Sequence, residues 1–225
     1  MILTIAAITD EAKMAEIQSA VAKLQWRDGK ETAGKTAKAV KENEQAVMND
    51  AAGKAAEALI MPHLSENAVL KAASHPRRFS HLLISKTQDG GHYGSHIDNA
   101  LMGAGAGRMR TDMSFTLFLT PPDEYEGGEL VIHTAGMDYT VKGQPGELVL
   151  YPSTSIHEVK PVTKGTRIVS VGWIESLIAD PTSREMLFDL ENLRASLRAS
   201  LPAGSRELLT LDKTIANLNR MWAVV

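Results

Sequence analysis

The spacing of apolar and polar positions changes period twice along this chain. Met1 to Ile8 are mostly apolar and predict an opening β-strand. From 9 to 25 the spacing turns helical. Ala12, Ala15, Ile17, Ala20, Val21 and Leu24 form a stripe that Thr9 or Asp10 can cap. Residues 28–43 are rich in Gly, Lys, Thr and Ala, with Val40 the one large apolar residue, and predict a mobile surface loop, solvated first and, by its basic character, able to touch a substrate as second choice. A helical pattern over 44–60 is stopped by Pro62, and 64–74 predicts a further short helix ending near Pro76.

From Phe79 the period falls to two. Strands are expected at 79–85, 112–119, 129–134, 138–142, 147–151, 157–162 and 167–174. Turn residues separate most of them: Pro121-Pro122, Gly127-Gly128, Ala135-Gly136, Gly143 to Gly146 and Lys164-Gly165. Short strands at this spacing predict a sandwich or barrel. After Asp180-Pro181 the helical period returns. Met186, Leu187, Leu190, Leu193 and Leu197 mark one helix; Leu208, Leu209, Leu211, Ile215, Leu218 and Met221 mark another. The plan is α+β: a supporting region over 1–77, a β core over 78–178 and a helical extension over 179–225.

Composition narrows the chemistry. With 225 residues and a formal net charge of -3, the chain has no global basic footprint, so no nucleic-acid partner is expected. It has no cysteine, which excludes disulfides, thiolate metal sites and cysteine nucleophiles. The apolar start lacks a basic segment and meets Asp10-Glu11 at once, unlike a signal peptide. No apolar run approaches the roughly 20 residues of a membrane span. A cytoplasmic protein with no membrane contact is the expectation.

The chemistry-bearing residues fall inside the β region. His96-Ile97-Asp98 puts two donors at i and i+2, on one face of a strand. His157, from a distant strand, would complete two imidazoles and one carboxylate, a facial set that leaves positions open on an octahedral metal. Arg167 lies ten residues further on, and its guanidinium fork suits a co-substrate carboxylate. Alone, His-x-Asp is a common spacing, and a lone arginine beside a turn is more often a surface cation.

The wider run Tyr93-Gly94-Ser95-His96-Ile97-Asp98-Asn99-Ala100, taken with the His157…Arg167 pair, resembles the prolyl 4-hydroxylase branch of the Fe(II)/2-oxoglutarate-dependent dioxygenases. Within that branch it is similar to the bacterial PKHD-type hydroxylases over nearly the whole chain. The resemblance implies a double-stranded β-helix, or jelly roll, with helices packed on it. It implies His96, Asp98 and His157 as iron ligands, Arg167 on the distal carboxylate of 2-oxoglutarate, and Tyr93 near the metal or co-substrate. The cofactors would be Fe(II), 2-oxoglutarate and O₂, with ascorbate as an optional reductant. A C–H bond would be hydroxylated with release of succinate and CO₂. The substrate would be a prolyl-type peptide side chain or a small molecule linked to iron uptake, and the enzyme a homodimer. The alternatives are a non-enzymatic jelly-roll sensor of metal or 2-oxoglutarate and, less well matched, a zinc hydrolase. The chain departs from its relatives at Thr87, where many carry an aromatic residue near the co-substrate.

Other residues carry plainer expectations. Trp173 is expected to pack the core, with a pocket wall as second choice. Asn99 suits turn chemistry. His92 lies near the motif and is expected in a loop; His63, His75, His81 and His133 have no partner spacing and are expected to be structural or exposed. Gly103 to Gly107 predicts a flexible loop able to act as a lid, from which Arg108 and Arg110 could meet an anionic substrate or stay solvated.

Overall fold

The computed structural model describes residues 1–32 and 37–224. After β1 (Leu3–Ala6), helix α1 (Glu11–Val21) starts at Asp10, whose carboxylate accepts from the Ala12 and Lys13 amides. Next come β2 (Trp26–Asp28), β3 (Lys41–Glu42), β4 (Glu44–Ala46), α2 (Ala51–Glu66) and α3 (Ala68–Ser74). The β-rich region holds β5 (Pro76–Phe79), β6 (Leu83–Gln88), β7 (His92–His96), β8 (Leu101–Met102), β9 (Met109–Arg110) and β10 (Met113–Phe118). It continues with β11 (Tyr125–Gly127), β12 (Leu130–His133), β13 (Asp138–Val141), β14 (Glu147–Pro152), β15 (His157–Val159) and β16 (Val162–Ser176). Helices α4 (Pro181–Arg198) and α5 (Arg206–Trp222) close the chain.

Two antiparallel sheets form the jelly roll. The larger runs β1-β14-β10-β16-β6-β4-β2, with β5 and β11 also paired to β16; the smaller runs β13-β12-β15-β7-β3. Strand alternation divides the larger sheet between two cores. Leu148 and Leu150 of β14 pack outward with α1 and α2 residues such as Ile17, Ile60 and Leu64. Val149 and Tyr151 of the same strand face inward with Leu130 and Ile132 of the smaller sheet. On β6 and β10 the outward residues are apolar (Ile84, Phe115, Leu117), whereas Ser85, Thr87, Ser114 and Thr116 line the interior. Small hydroxyl side chains there leave room for a pocket.

Several expectations need correction. The helical pattern over 44–60 breaks at its start: Glu44–Ala46 is a strand paired with β2 and β6, and α2 begins after Asp50, whose Oδ1 accepts from the Gly53 amide at 2.7 Å. Pro62 does not stop α2, which runs on to Glu66. Ala56, Ile60 and Leu64 are fully buried on either side of the proline, and that packing outweighs one missing backbone bond. The turn expected at Lys164-Gly165 instead lies within the long β16, because β11 pairs there. The 103–110 segment is the tip and second strand of a small hairpin, β8–β9. The 28–43 segment carries the end of β2 and all of β3, paired with β7, so it is no plain solvated loop; its residues 33–36 lie outside the described part.

One turn is a sharp test of the fold. Gly146 has φ +88°, its carbonyl accepts from the Ala7 and Ile8 amides, and a Cβ there would lie 2.1 Å from the Ile8 carbonyl oxygen. Gly146→Ala is expected to cost about 2–4 kcal/mol of stability. Urea unfolding would show this as a lower midpoint with an unchanged slope; an unmoved midpoint would refute the reading.

Candidate metal and co-substrate site

The smaller sheet sets the histidines side by side. In the β7–β15 ladder His157 stands opposite His96, with ring centroids 4.3 Å apart. Asp98 follows two residues beyond the end of β7. One donor atom from each of His96, Asp98 and His157 lies within 4.8 Å of the others, and His157 Nε2 is 3.8 Å from Asp98 Oδ2. This cluster could hold a metal ion.

The surroundings prepare the donors. His96 Nδ1 lies 2.8 Å from the Gly94 carbonyl and His157 Nδ1 lies 3.1 Å from the Ser155 carbonyl. A carbonyl only accepts, so each ring carries its proton on Nδ1 and keeps the Nε2 lone pair free. Burial, aided by His157, pulls the His96 pKa down to about 4 against the Gly94 carbonyl and Asp98, favouring the neutral, ligating imidazole. Ser114 Oγ donates to Asp98 Oδ2 at 2.6 Å and contacts Ser153 Oγ at 2.7 Å. Two nitrogens and one carboxylate oxygen, with open space in front, suit Fe(II).

A bulge brings in Tyr93. Opposite His157 and Val159, β7 spends four residues, His96 back to Tyr93, where a regular ladder would use three. The extra residue returns Tyr93 to the His96 side, and the two rings stack at 3.6 Å and 15°. Burial first, then Asp98, raises the pKa of the Tyr93 hydroxyl.

Arg167 lies on the facing sheet, opposite Thr87 in the β16–β6 register. It is 2% exposed, yet its Nε and Nη2 have no hydrogen-bond partner among the described residues. Its guanidinium carbon sits 5.6 Å from the centre of the Phe118 ring. Gly128, at φ +69°, permits this placement, since a Cβ there would lie 2.9 Å from Arg167 Cδ. Burial lowers the Arg167 pKa, and Tyr125 and Tyr151 oppose that pull. A buried guanidinium with unfilled donors is costly without an anion, so the side chain fits a carboxylate.

One pocket, with about 900 Å³ of empty space counting its open mouth, is lined by Tyr93, His96, Asp98, His157 and Arg167 together. Trp173 forms part of its wall, and the indole Nε1 is buried without a partner, so the pocket-wall reading replaces core packing. Asn99 also lines it, while its carbonyl accepts from Thr111 Oγ1. Arg110 does not face substrate: it makes a two-pronged pair with Asp112 at 2.7 and 2.9 Å and donates to the Ser176 carbonyl.

Sequence reasoning missed Gln45, Ser114 and Tyr151, and singled out neither Lys41 nor Asn43 within the 28–43 segment it allowed to touch substrate; all five line the pocket. Ser114 and Tyr151 were readable as inward positions of β10 and β14. Lys41-x-Asn43-x-Gln45 has the strand alternation but is too polar to stand out as one. Ser114→Ala should weaken metal binding about 10- to 100-fold without unfolding the protein. Titration with Mn(II) measures this, and unchanged affinity would show that Ser114 does not support Asp98.

Residues 82–175 match the model of the 2OG-Fe(II) oxygenase superfamily. Over 210 residues the chain is 47% identical to a PKHD-type hydroxylase of Hyphomonas neptunium, covering 93% of this chain and 94% of that one. The chain belongs to the PKHD-type hydroxylases. A PKHD-type hydroxylase of Synechococcus elongatus is 44% identical over 223 residues, covering 99% of this chain and all of the other. Among solved structures, a prolyl hydroxylase of Trichoplax adhaerens, in complex with a hypoxia inducible factor oxygen degradation domain peptide fragment, shares the fold. Its TM-score is 0.57 at 15% identity, over 77% of this chain and 83% of that one. This PKHD-type hydroxylase is thus an oxidoreductase that uses Fe(II), 2-oxoglutarate and O₂ to hydroxylate a substrate. The comparisons favour no non-enzymatic sensor. No helix among the described residues is long and apolar enough to cross a membrane.

Proposed function

We propose that His96, Asp98 and His157 hold the Fe(II), that Arg167 holds the distal carboxylate of 2-oxoglutarate, and that Tyr93 borders both. The observation that carries this is Arg167. It is a fully buried guanidinium with two unfilled donor groups, in the same pocket as the three metal-capable side chains. The metal and co-substrate, when bound, supply the oxidising power that converts C–H to C–OH as 2-oxoglutarate becomes succinate and CO₂.

The protein's own part is geometric. The Gly94 and Ser155 carbonyls hold the two imidazoles in the ligating tautomer, and Ser114 holds the carboxylate. Tyr93 fixes the His96 ring plane. Leu130, Val159 and Val169 of the pocket wall, with Phe118 packed on Arg167, keep water from the co-substrate end. The substrate enters beside Trp173, Asn99 and Met102, and a prolyl-type side chain of a peptide is the class favoured by the prolyl hydroxylases that share the fold.

Anaerobic titration with Fe(II) and 2-oxoglutarate tests the assignment. A visible charge-transfer band should form, then bleach on admission of O₂ with succinate released. A protein that binds iron but yields no band with 2-oxoglutarate would refute the assignment of Arg167.

A further inference from the structure

The three metal-capable side chains are not held alike. His96 and His157 sit in β7 and β15 and are fixed by the ladder that pairs those strands. Asp98 lies beyond the end of β7, in the stretch before β8, so that ladder does not hold it. What holds it comes from the other side of the jelly roll. Ser114, on β10 of the larger sheet, donates to Asp98 Oδ2 at 2.6 Å. Thr111 ties down the residues that follow: its Oγ1 donates to the Asn99 carbonyl and its amide to the Ala100 carbonyl.

A second hydroxyl stands behind the first. Ser153 Oγ lies 2.7 Å from Ser114 Oγ, and the two residues are 4% and 2% exposed. Proton counting gives this bond its direction. A carboxylate only accepts, so the single hydroxyl proton of Ser114 goes to Asp98. Ser114 Oγ is left as an acceptor, and the proton between the two serines is that of Ser153. The chain therefore runs from Ser153 to Ser114 to Asp98 with both bonds pointing the same way, an order in which each bond polarises the next.

Ser153 is itself firmly placed. It follows Pro152, the last residue of β14, and continues the β10–β14 register: its amide donates to the Asp112 carbonyl at 3.1 Å. Asp112 is fastened in turn, since its carboxylate accepts from Arg110 and from the Ser176 amide. Ser153 is not among the described residues that line the pocket, so any effect on the metal passes through Ser114.

We propose that Ser153 is a positioning residue for the metal site: acting through Ser114, its hydroxyl presets Asp98, the one of the three metal-capable side chains that no strand holds, before a metal binds. This rests on the metal assignment above. A carboxylate already in place spares the metal the entropy of ordering it, so the hydroxyl chain shows up as metal affinity.

Mn(II) titration and EPR on the full chain test this without turnover. Ser153→Ala should weaken Mn(II) binding about 3- to 10-fold, less than Ser114→Ala does. With Ser114 already replaced by alanine, Ser153→Ala should change the affinity by less than about twofold, because the contact through which it acts is gone. The EPR spectrum of bound Mn(II), at saturating metal, should depart from wild type in Ser153→Ala in the same direction as in Ser114→Ala. Gly146 lies just before the far end of β14, and Gly146→Ala should give wild-type affinity and spectrum although it is less stable, which separates positioning from loss of stability. Unchanged affinity and spectrum in Ser153→Ala overturn the proposal. Losses that simply multiply in the double variant overturn it too, since Ser153 would then act independently of Ser114. So does a Gly146→Ala protein that loses as much affinity as Ser153→Ala. A wild type that binds no Mn(II) removes the metal assignment and this inference with it, whereas a wild type that binds beside an indifferent Ser153→Ala removes this inference alone.

Discussion

Arg167→Met is expected to weaken 2-oxoglutarate binding by about two to four orders of magnitude while leaving metal affinity within a few fold. The side chain is buried with Nε and Nη2 unpartnered, so its donors are desolvated before any ligand arrives. Charge-assisted hydrogen bonds contribute about 1.5–3 kcal/mol each, and two of them come to about 3–6 kcal/mol. At about 1.4 kcal/mol per factor of ten, that is the expected loss. Methionine roughly preserves the packing on Phe118 and removes a buried charge whose Nε and Nη2 find no partner among the described residues. The variant should therefore unfold at the same temperature as wild type or higher. Calorimetry with Mn(II) present gives both affinities. A loss of 2-oxoglutarate affinity below threefold would mean that the carboxylate binds elsewhere.

Asp98→Ala is expected to abolish turnover. It leaves two neutral imidazoles to hold a divalent ion, with no anion in direct contact. Ser114 loses its 2.6 Å acceptor and is left with Ser153. Metal affinity should fall by about a thousandfold or more, because charge balance and one of three ligands go together. Metal content after dialysis and succinate formation under limiting iron are the two readouts. Substantial succinate in that variant would remove Asp98 from the ligand set.

Much of this enzyme is legible one residue at a time. The period of two in 112–119 and 147–151 anticipates β10 and β14, and the caps at Asp10 and Asp180 start α1 and α4. The segments that escaped are those whose local chemistry contradicts their neighbours. Glu44–Ala46 looks helical until β2 and β6 offer ladder partners on either side. Pro62 looks like a stop until the burial of Ile60 and Leu64 is counted. Lys41 looks solvated until β7 draws it under Tyr93.

The His96-x-Asp98 spacing, the distant His157 and the Arg167 that follows suggested a reaction type, and the surrounding Tyr93-Gly94 and Asn99-Ala100, through the family they resemble, made it specific. Donor identity is a property of side chains, and a linear spacing carries it. Which groups meet was decided only in three dimensions. The bulge in β7 stacks Tyr93 on His96, the passage from β3 to β4 adds Lys41 to the pocket wall, and the facing sheets bury Arg167 with its donors open. Each depends on pairing between strands far apart in the chain, and burial and charge balance are properties of the assembled pocket that no single segment contains.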